Sequence, residues 1–165
     1  MGLDYYHVKK QKGRQKSKEI FLEFIKLSES LNLPLVIHSR NSMKDTLDIL
    51  KNRGNNVIIH CFSGNMKSLE EVLDRNYYLS FGGIIFRSKK KYRNILKKVP
   101  LENLLLETDA PFLAKKKRDR SKPWFIREVA EKIAEIKGSE FSEIWNISGE
   151  NAREVYDLPI NFNEN

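Results

Sequence analysis

One cysteine, Cys61, is all the thiol in this chain, which excludes an intramolecular disulfide and any metal cage built from thiolates alone. Histidine is nearly as scarce, at three residues, so a metal centre would have to combine a few imidazoles with carboxylates. No apolar run approaches the roughly 18 residues of a membrane span. The opening Met1-Gly2-Leu3-Asp4-Tyr5-Tyr6 has neither the basic nor the apolar stretch of an export signal. The expectation is a soluble, cytoplasmic chain with no membrane partner. No glycine-rich phosphate loop follows any strand-like run, which argues against dinucleotide-binding and P-loop folds. What is present is globular: 165 residues, 40% of them hydrophobic, with nine Phe and two Trp, suffice for a core. No linker or compositional break appears, so residues 1–165 read as a single domain.

Thirty Lys and Arg stand against 22 Asp and Glu, a net charge of +8 that steers polyanions toward the surface without identifying one. The cations cluster at 9–18, 87–91 and 115–122, in expected loops or helix starts. A solvated face is the ordinary reading of each cluster, and a phosphate-binding face the functional one.

Short apolar runs alternate with amphipathic stretches. Residues 33–38, 56–60, 77–81 and 104–109 are too short for helices and read as buried parallel strands. Helices are expected over 16–31, 42–53, 66–75 and 89–98, the second capped by Asn41 or Ser42 and closed by Gly54. A further helix starts at Pro123, carries Phe125, Val129, Ile133 and Ile136 on one face, and ends at Gly138. Two short helices, near 140–146 and 148–156, follow. The alternation implies an α/β fold with a parallel sheet, either an open doubly wound sheet or a barrel.

Three of the four strand runs end in a possible metal ligand: His38, His60 and Asp109. In parallel α/β folds ligands collect at the carboxyl ends of the strands, so these three are expected to converge, their ligating atoms within roughly 4–8 Å of one another. Imidazole with carboxylate suits several divalent ions, and Mg²⁺, Mn²⁺ and Zn²⁺ are not distinguished. Asp109 could also take a proton from water. Glu107 is either a supporting carboxylate or an ion-pair partner. Arg40, just past His38, could grip a phosphate bidentately or form a surface ion pair. Cys61 points away from His60 and reads as a buried packing residue.

The segments Gly2-Leu3-Asp4-Tyr5, Pro34-Leu35-Val36-Ile37-His38-Ser39-Arg40, His60-Cys61-Phe62-Ser63-Gly64, Leu106-Glu107-Thr108-Asp109-Ala110-Pro111 and Glu150-Asn151-Ala152-Arg153 resemble, in order and spacing, the motifs of TatD-family deoxyribonucleases. The resemblance implies a (β/α)₈ TIM barrel of the metal-dependent hydrolase superfamily, of which this chain supplies roughly the last four βα units. It also implies hydrolysis of DNA phosphodiesters with one or two divalent metal ions, and it puts His38, His60 and Asp109 on metal-ligand positions. Arg40, Arg87, Lys115, Lys116 and Lys117 are the expected nucleic-acid contacts.

The family's other ligands, a His-x-His pair and a Glu immediately before the position of Met1, have no counterpart here, and His7, lone in a basic loop, is not expected to replace them. Arg120-Ser121-Lys122-Pro123 also departs from the family's Arg-Asn-Glu-Pro. The expectation is therefore a truncated barrel with edges exposed at 33–38 and 104–109, inclined to self-association or to pairing with a complementing N-terminal half. Such a chain would be nearly inactive alone. An inactive nucleic-acid-binding remnant is the alternative.

Overall fold

The computed structural model describes residues 1–51, 56–116 and 118–159. They fall into two compact units, Met1–Tyr78 and Leu79–Asn165.

In the first unit, strands β1 (Gly2–Asp4), β2 (Leu35–Arg40) and β3 (Val57–His60) alternate with helices α1 (Gln11–Ser30), α2 (Met43–Leu50) and α3 (Met66–Leu73). The strands are parallel and adjacent in chain order, with Gly2 opposite His38 and His38 opposite His60. β1 was not among the expected strands. By pairing with β2 it covers the edge foreseen at 33–38, so the edge position passes to a strand of three residues. Side-chain parity does the rest. Leu35, Ile37 and Ser39 are buried on one face of β2, while Val36, His38 and Arg40 alternate with them on the opposite, more open face.

α1 starts at Gln11, five residues before the expected 16, although no acidic residue supports its first turn. It buries Phe21, Ile25 and Ser28. The neighbouring stripe of Ile20, Phe24, Leu27 and Leu31 is 43–55% exposed, an unusual run of large apolar side chains in water. Ser42 is the N-cap of α2, but its hydroxyl donates to the Leu3 carbonyl (2.7 Å), tying the helix start to β1. The expected stop at Gly54 lies outside the described residues. A second tie joins α1, α2 and the end of β1. The Tyr5 hydroxyl donates to Asp45 Oδ2 (2.6 Å), and Lys18 Nζ meets the same oxygen at 2.6 Å.

In the second unit β4 (Tyr78–Phe81), whose first residue is the last of the first unit, and β5 (Leu104–Leu106) are parallel, Leu79 opposite Leu104. Helices α4 (Lys89–Lys98), α5 (Ile126–Lys137) and α6 (Phe141–Val155) complete it. β5 ends three residues short of the expected 109, because the chain turns at Asp109, whose carbonyl accepts the Phe112 N–H. Pro123 opens a 3₁₀ turn, Pro123–Phe125, instead of the helix itself, and Gly138 closes α5 in the left-handed conformation as expected. The two short helices expected after it are one, α6, running through Gly149. Tertiary contacts override the glycine. The Asn151 amide donates to the Leu101 and Leu104 carbonyls (2.7 and 2.8 Å), and the Leu106 N–H donates to the Ser148 hydroxyl. Past β4, a Cβ built on Gly83 would lie 1.6 Å from the Leu113 carbonyl oxygen.

Two outcomes follow for stability. Gly83→Ala forces apart two backbone segments and should cost about 1–3 kcal/mol in denaturant unfolding. For Asp45, hydrogen bonds from Lys18 and Tyr5 outweigh partial burial and hold the carboxyl below its usual range. Its stabilisation is therefore present above the unfolded-state value of about 4 and is lost as pH falls through the lower folded-state value. Asp45→Asn should cost about 1 kcal/mol at pH 7, solvent screening of this part-exposed pair included. The gap to the parent chain should close in unfolding curves taken at progressively more acid pH.

Candidate active site

Strand register places Asp4, His38, Arg40 and His60 on one face of the first unit, at the carboxyl ends of its strands. His38 and His60 are direct register partners and their ring centroids lie 6.4 Å apart. The structure thus brings together these two of the three expected ligands. His60 ends β3, whereas β2 continues two residues past His38 to Arg40.

The residue that organises this rim is Asp4. Its Oδ1 accepts the backbone N–H groups of Tyr6 (2.9 Å) and His7 (3.0 Å), and its Oδ2 meets His7 Nδ1 (2.8 Å) and His38 Nε2 (3.2 Å). Partial burial works against the charged carboxylate, but the hydrogen bonds from His7 and His38 prevail and hold Asp4 well below the ordinary carboxylate range. An ionised carboxylate only accepts, so each imidazole must turn an N–H toward it. A neutral His38 donating to Asp4 has its proton on Nε2 and a lone pair on Nδ1, and a neutral His7 has its proton on Nδ1 and a lone pair on Nε2. His7 is accordingly not a lone residue of a basic loop. It is bound to the carboxylate that also holds His38, and the loop turn closed by the Asp4 acceptor brings it there. Asp4 lay inside a motif legible in the sequence, but nothing in the spacing showed its two imidazole partners.

Arg40, exposed at the end of β2, holds its guanidinium over the Tyr6 ring at 3.9 Å. The Lys9 ammonium lies 5.9 Å from the same ring centre, and the His7 ring meets Tyr6 edge-on at 4.9 Å. Cys61 is half-buried and takes a positive φ of 48°, so it turns the chain after β3 and is not the buried packing residue expected.

The second unit carries Asp109, half-buried in the loop after β5 and not on the strand as expected. Glu107 accepts from the Ser80 hydroxyl. Arg87 donates to the Ala114 carbonyl (2.7 Å), and Lys115 pairs with Glu128 (2.9 Å), across from Phe86 and beside Glu131 and Glu135. These two cations are thus engaged within the unit. Lys116 is exposed, and Lys117 lies outside the described residues.

Among the described residues no group of three or more His, Cys, Asp and Glu is arranged to hold a metal ion. The donor chemistry of the rim nonetheless fits one in part. Two register-paired imidazoles, one oriented by a carboxylate on its far nitrogen, are the arrangement by which proteins present histidine to divalent ions.

Parallel strands followed by helices, with imidazoles at the strand ends, define an α/β protein of the kind that gathers its ligand-binding side chains at the carboxyl ends of its strands. The model of the TatD related DNase family matches residues 1–157, and the chain belongs to that family. It is 41% identical over 164 residues to the uncharacterized metal-dependent hydrolase YabD of Bacillus subtilis, covering 96% of this chain and 64% of that protein. To the human deoxyribonuclease TATDN3 it is 33% identical, covering 94% of this chain and 58% of that one. The crystal structure of YjjV, a TatD homologue of Escherichia coli K12, aligns with a TM-score of 0.86 at 26% identity, over 96% of this chain and 62% of that one. A TatD-family hydrolase from Entamoeba histolytica gives 0.83 at 22% identity, over 97% and 62%, and shares the fold. The chain thus spans less than two thirds of the length of these relatives. Among its described residues no helix is long and apolar enough to cross a membrane.

The Asp4 geometry is open to a direct check. Long-range ¹⁵N–¹H spectra at pH 8 should show the Nε2–H tautomer for His38 and the less common Nδ1–H tautomer for His7. Asp4→Asn should abolish the preference at His7 while leaving His60 unchanged; an unaltered His7 would mean that the carboxylate does not hold it.

Proposed function

We propose that this chain carries the His38–His60 side of a TatD-type active site that hydrolyses DNA phosphodiester bonds with divalent metal, within a (β/α)₈ barrel of which it supplies roughly the last four βα units. The supporting observation is the register pairing of His38 and His60 at adjoining strand ends with Asp4 behind His38, in a chain of a family whose relatives are named metal-dependent hydrolases and deoxyribonucleases. His38, through Nδ1, and His60 would hold the ion, with Asp109 as the carboxylate donor. One or two ions of Mg²⁺, Mn²⁺ or Zn²⁺ type would lower the pKa of a water toward neutrality and stabilise charge on the attacked phosphate. The chain's own part is orientation and proton transfer. Asp4 locks the His38 ring, and the Asp109 carboxylate accepts the proton of the attacking water. The exposed Ile20, Phe24, Leu27 and Leu31 stripe suits self-association or a complementing N-terminal half as partner.

The test measures DNA hydrolysis by the 165-residue chain, alone and together with the part of the Bacillus relative that it does not span. Chelator-sensitive hydrolysis is expected in the mixture, reduced at least about 100-fold by His60→Ala and by Asp109→Asn. Hydrolysis indifferent to chelator and to both substitutions would overturn the reading.

A further inference from the structure

The loop after β1 puts an aromatic ring, two cations and an imidazole beside the His38 rim. Tyr6 is 50% exposed, so one of its faces is open to a ligand. The Arg40 guanidinium lies over it at 3.9 Å, Lys9 approaches the same ring, and the His7 ring stands perpendicular to it. Among the described residues neither Arg40 nor Lys9 makes an ion pair, unlike Lys115, whose charge is met by Glu128. The distinction matters because a cation already paired must give up its partner before it can hold a phosphate, and an unpaired one need not. His7, Tyr6 and Arg40 are also tied to the His38 position by bonds already described. His7 shares the Asp4 oxygen that His38 meets, and Arg40 follows His38 by two residues on the same strand face. The patch and His38 are therefore held through the same carboxylate.

An aromatic face flanked by unpaired cations is the combination that holds a nucleotide: the ring or its stacked guanidinium takes the base, and the charges take the phosphate. We propose that Tyr6, His7, Lys9 and Arg40 form a nucleotide subsite next to the scissile position, with the Tyr6–Arg40 stack as the platform for one base and Arg40 and Lys9 as the contacts to its phosphate. This rests on the nuclease reading and narrows it. The subsite requires a base, not only a polyanion, and it assigns the phosphate contacts of the first unit to Arg40 and Lys9. His7 contributes position: with its Nδ1 bound to Asp4, it fixes the loop that carries Tyr6.

The test is equilibrium binding of a fluorescent eight-nucleotide single strand to the 165-residue chain, with chelator present so that no hydrolysis intervenes. An abasic strand of equal length and charge is titrated in parallel. Tyr6→Leu should weaken binding of the normal strand about 5- to 100-fold, the range of a single base–aromatic stack, and leave the abasic strand unchanged. Tyr6→Phe should bind like the parent. Arg40→Ala should weaken both strands and lower the slope of log affinity against log salt by about 0.7 for each phosphate that is no longer neutralised. Tyr6 is half-exposed and outside the core, so its replacement should leave the fold intact, and circular dichroism of each variant checks that. If the parent binds the normal strand and Tyr6→Leu binds it equally well, or weakens both strands alike, the subsite is wrong while the nuclease reading stands. If the parent binds neither strand, the nucleic-acid reading itself falls, and the subsite with it.

Discussion

Four hydrogen bonds converge on the Asp4 carboxylate, and the arrangement of the first unit's rim depends on that convergence. The two backbone N–H groups close the turn that leaves β1. The two imidazoles, one from the loop after β1 and one from β2, are held on the same oxygen. Register supplies the precondition: only a residue in phase with His38 on a neighbouring parallel strand can face it, and Asp4 is in phase because Gly2 stands opposite His38. A slip of one residue would turn Asp4 to the buried face and leave both rings without their acceptor. The hydroxyl of Ser42 on the Leu3 carbonyl and the Tyr5–Asp45–Lys18 tie hold β1 against that slip, so the start of α2 and the interior of α1 help position a carboxylate they do not touch.

Charge in this protein has to be read by pairing and not by count. The chain is strongly basic, yet Arg87 and Lys115, which look in sequence like members of phosphate-binding clusters, spend their hydrogen bonds on a carbonyl and on Glu128. Helix α4 carries six cations and no acid, and its stability rests on the buried Tyr92, Ile95 and Leu96 and on Lys97 and Lys98 near the negative end of its dipole. The Arg40 and Lys9 side chains lie on an aromatic ring instead, where the cation is held without being neutralised.

Much of this was legible in the sequence because it follows from short periodicities. Alternation of apolar runs and amphipathic stretches marked four strands and the principal helices, with α4 at its observed bounds, and the family was legible from ordered motifs. Failures came where a tertiary partner decides the outcome. β1 is three residues long and exists because β2 offers it an edge. α6 passes through Gly149 because Asn151 and Ser148 anchor it from both sides. β5 stops early because Asp109 turns the chain with its own carbonyl. At the candidate site, His38 and His60 could be placed by strand phase alone, whereas the bond between Asp4 and His7 spans a turn whose geometry depends on two backbone donors, and no spacing rule encodes it.

The approach of the Gly83 backbone to the Leu113 carbonyl has a consequence for inheritance as well as for packing. Every residue other than glycine carries a Cβ, so no replacement at this position is conservative, however small or polar the newcomer. The neighbouring carbonyl belongs to main chain and cannot be shortened by a compensating change at 113, because any residue there would place the same oxygen in the same place. A lineage that loses this glycine must move a whole segment to recover, which single substitutions cannot do in one step. Variation in this chain should therefore accumulate around position 83 and seldom at it.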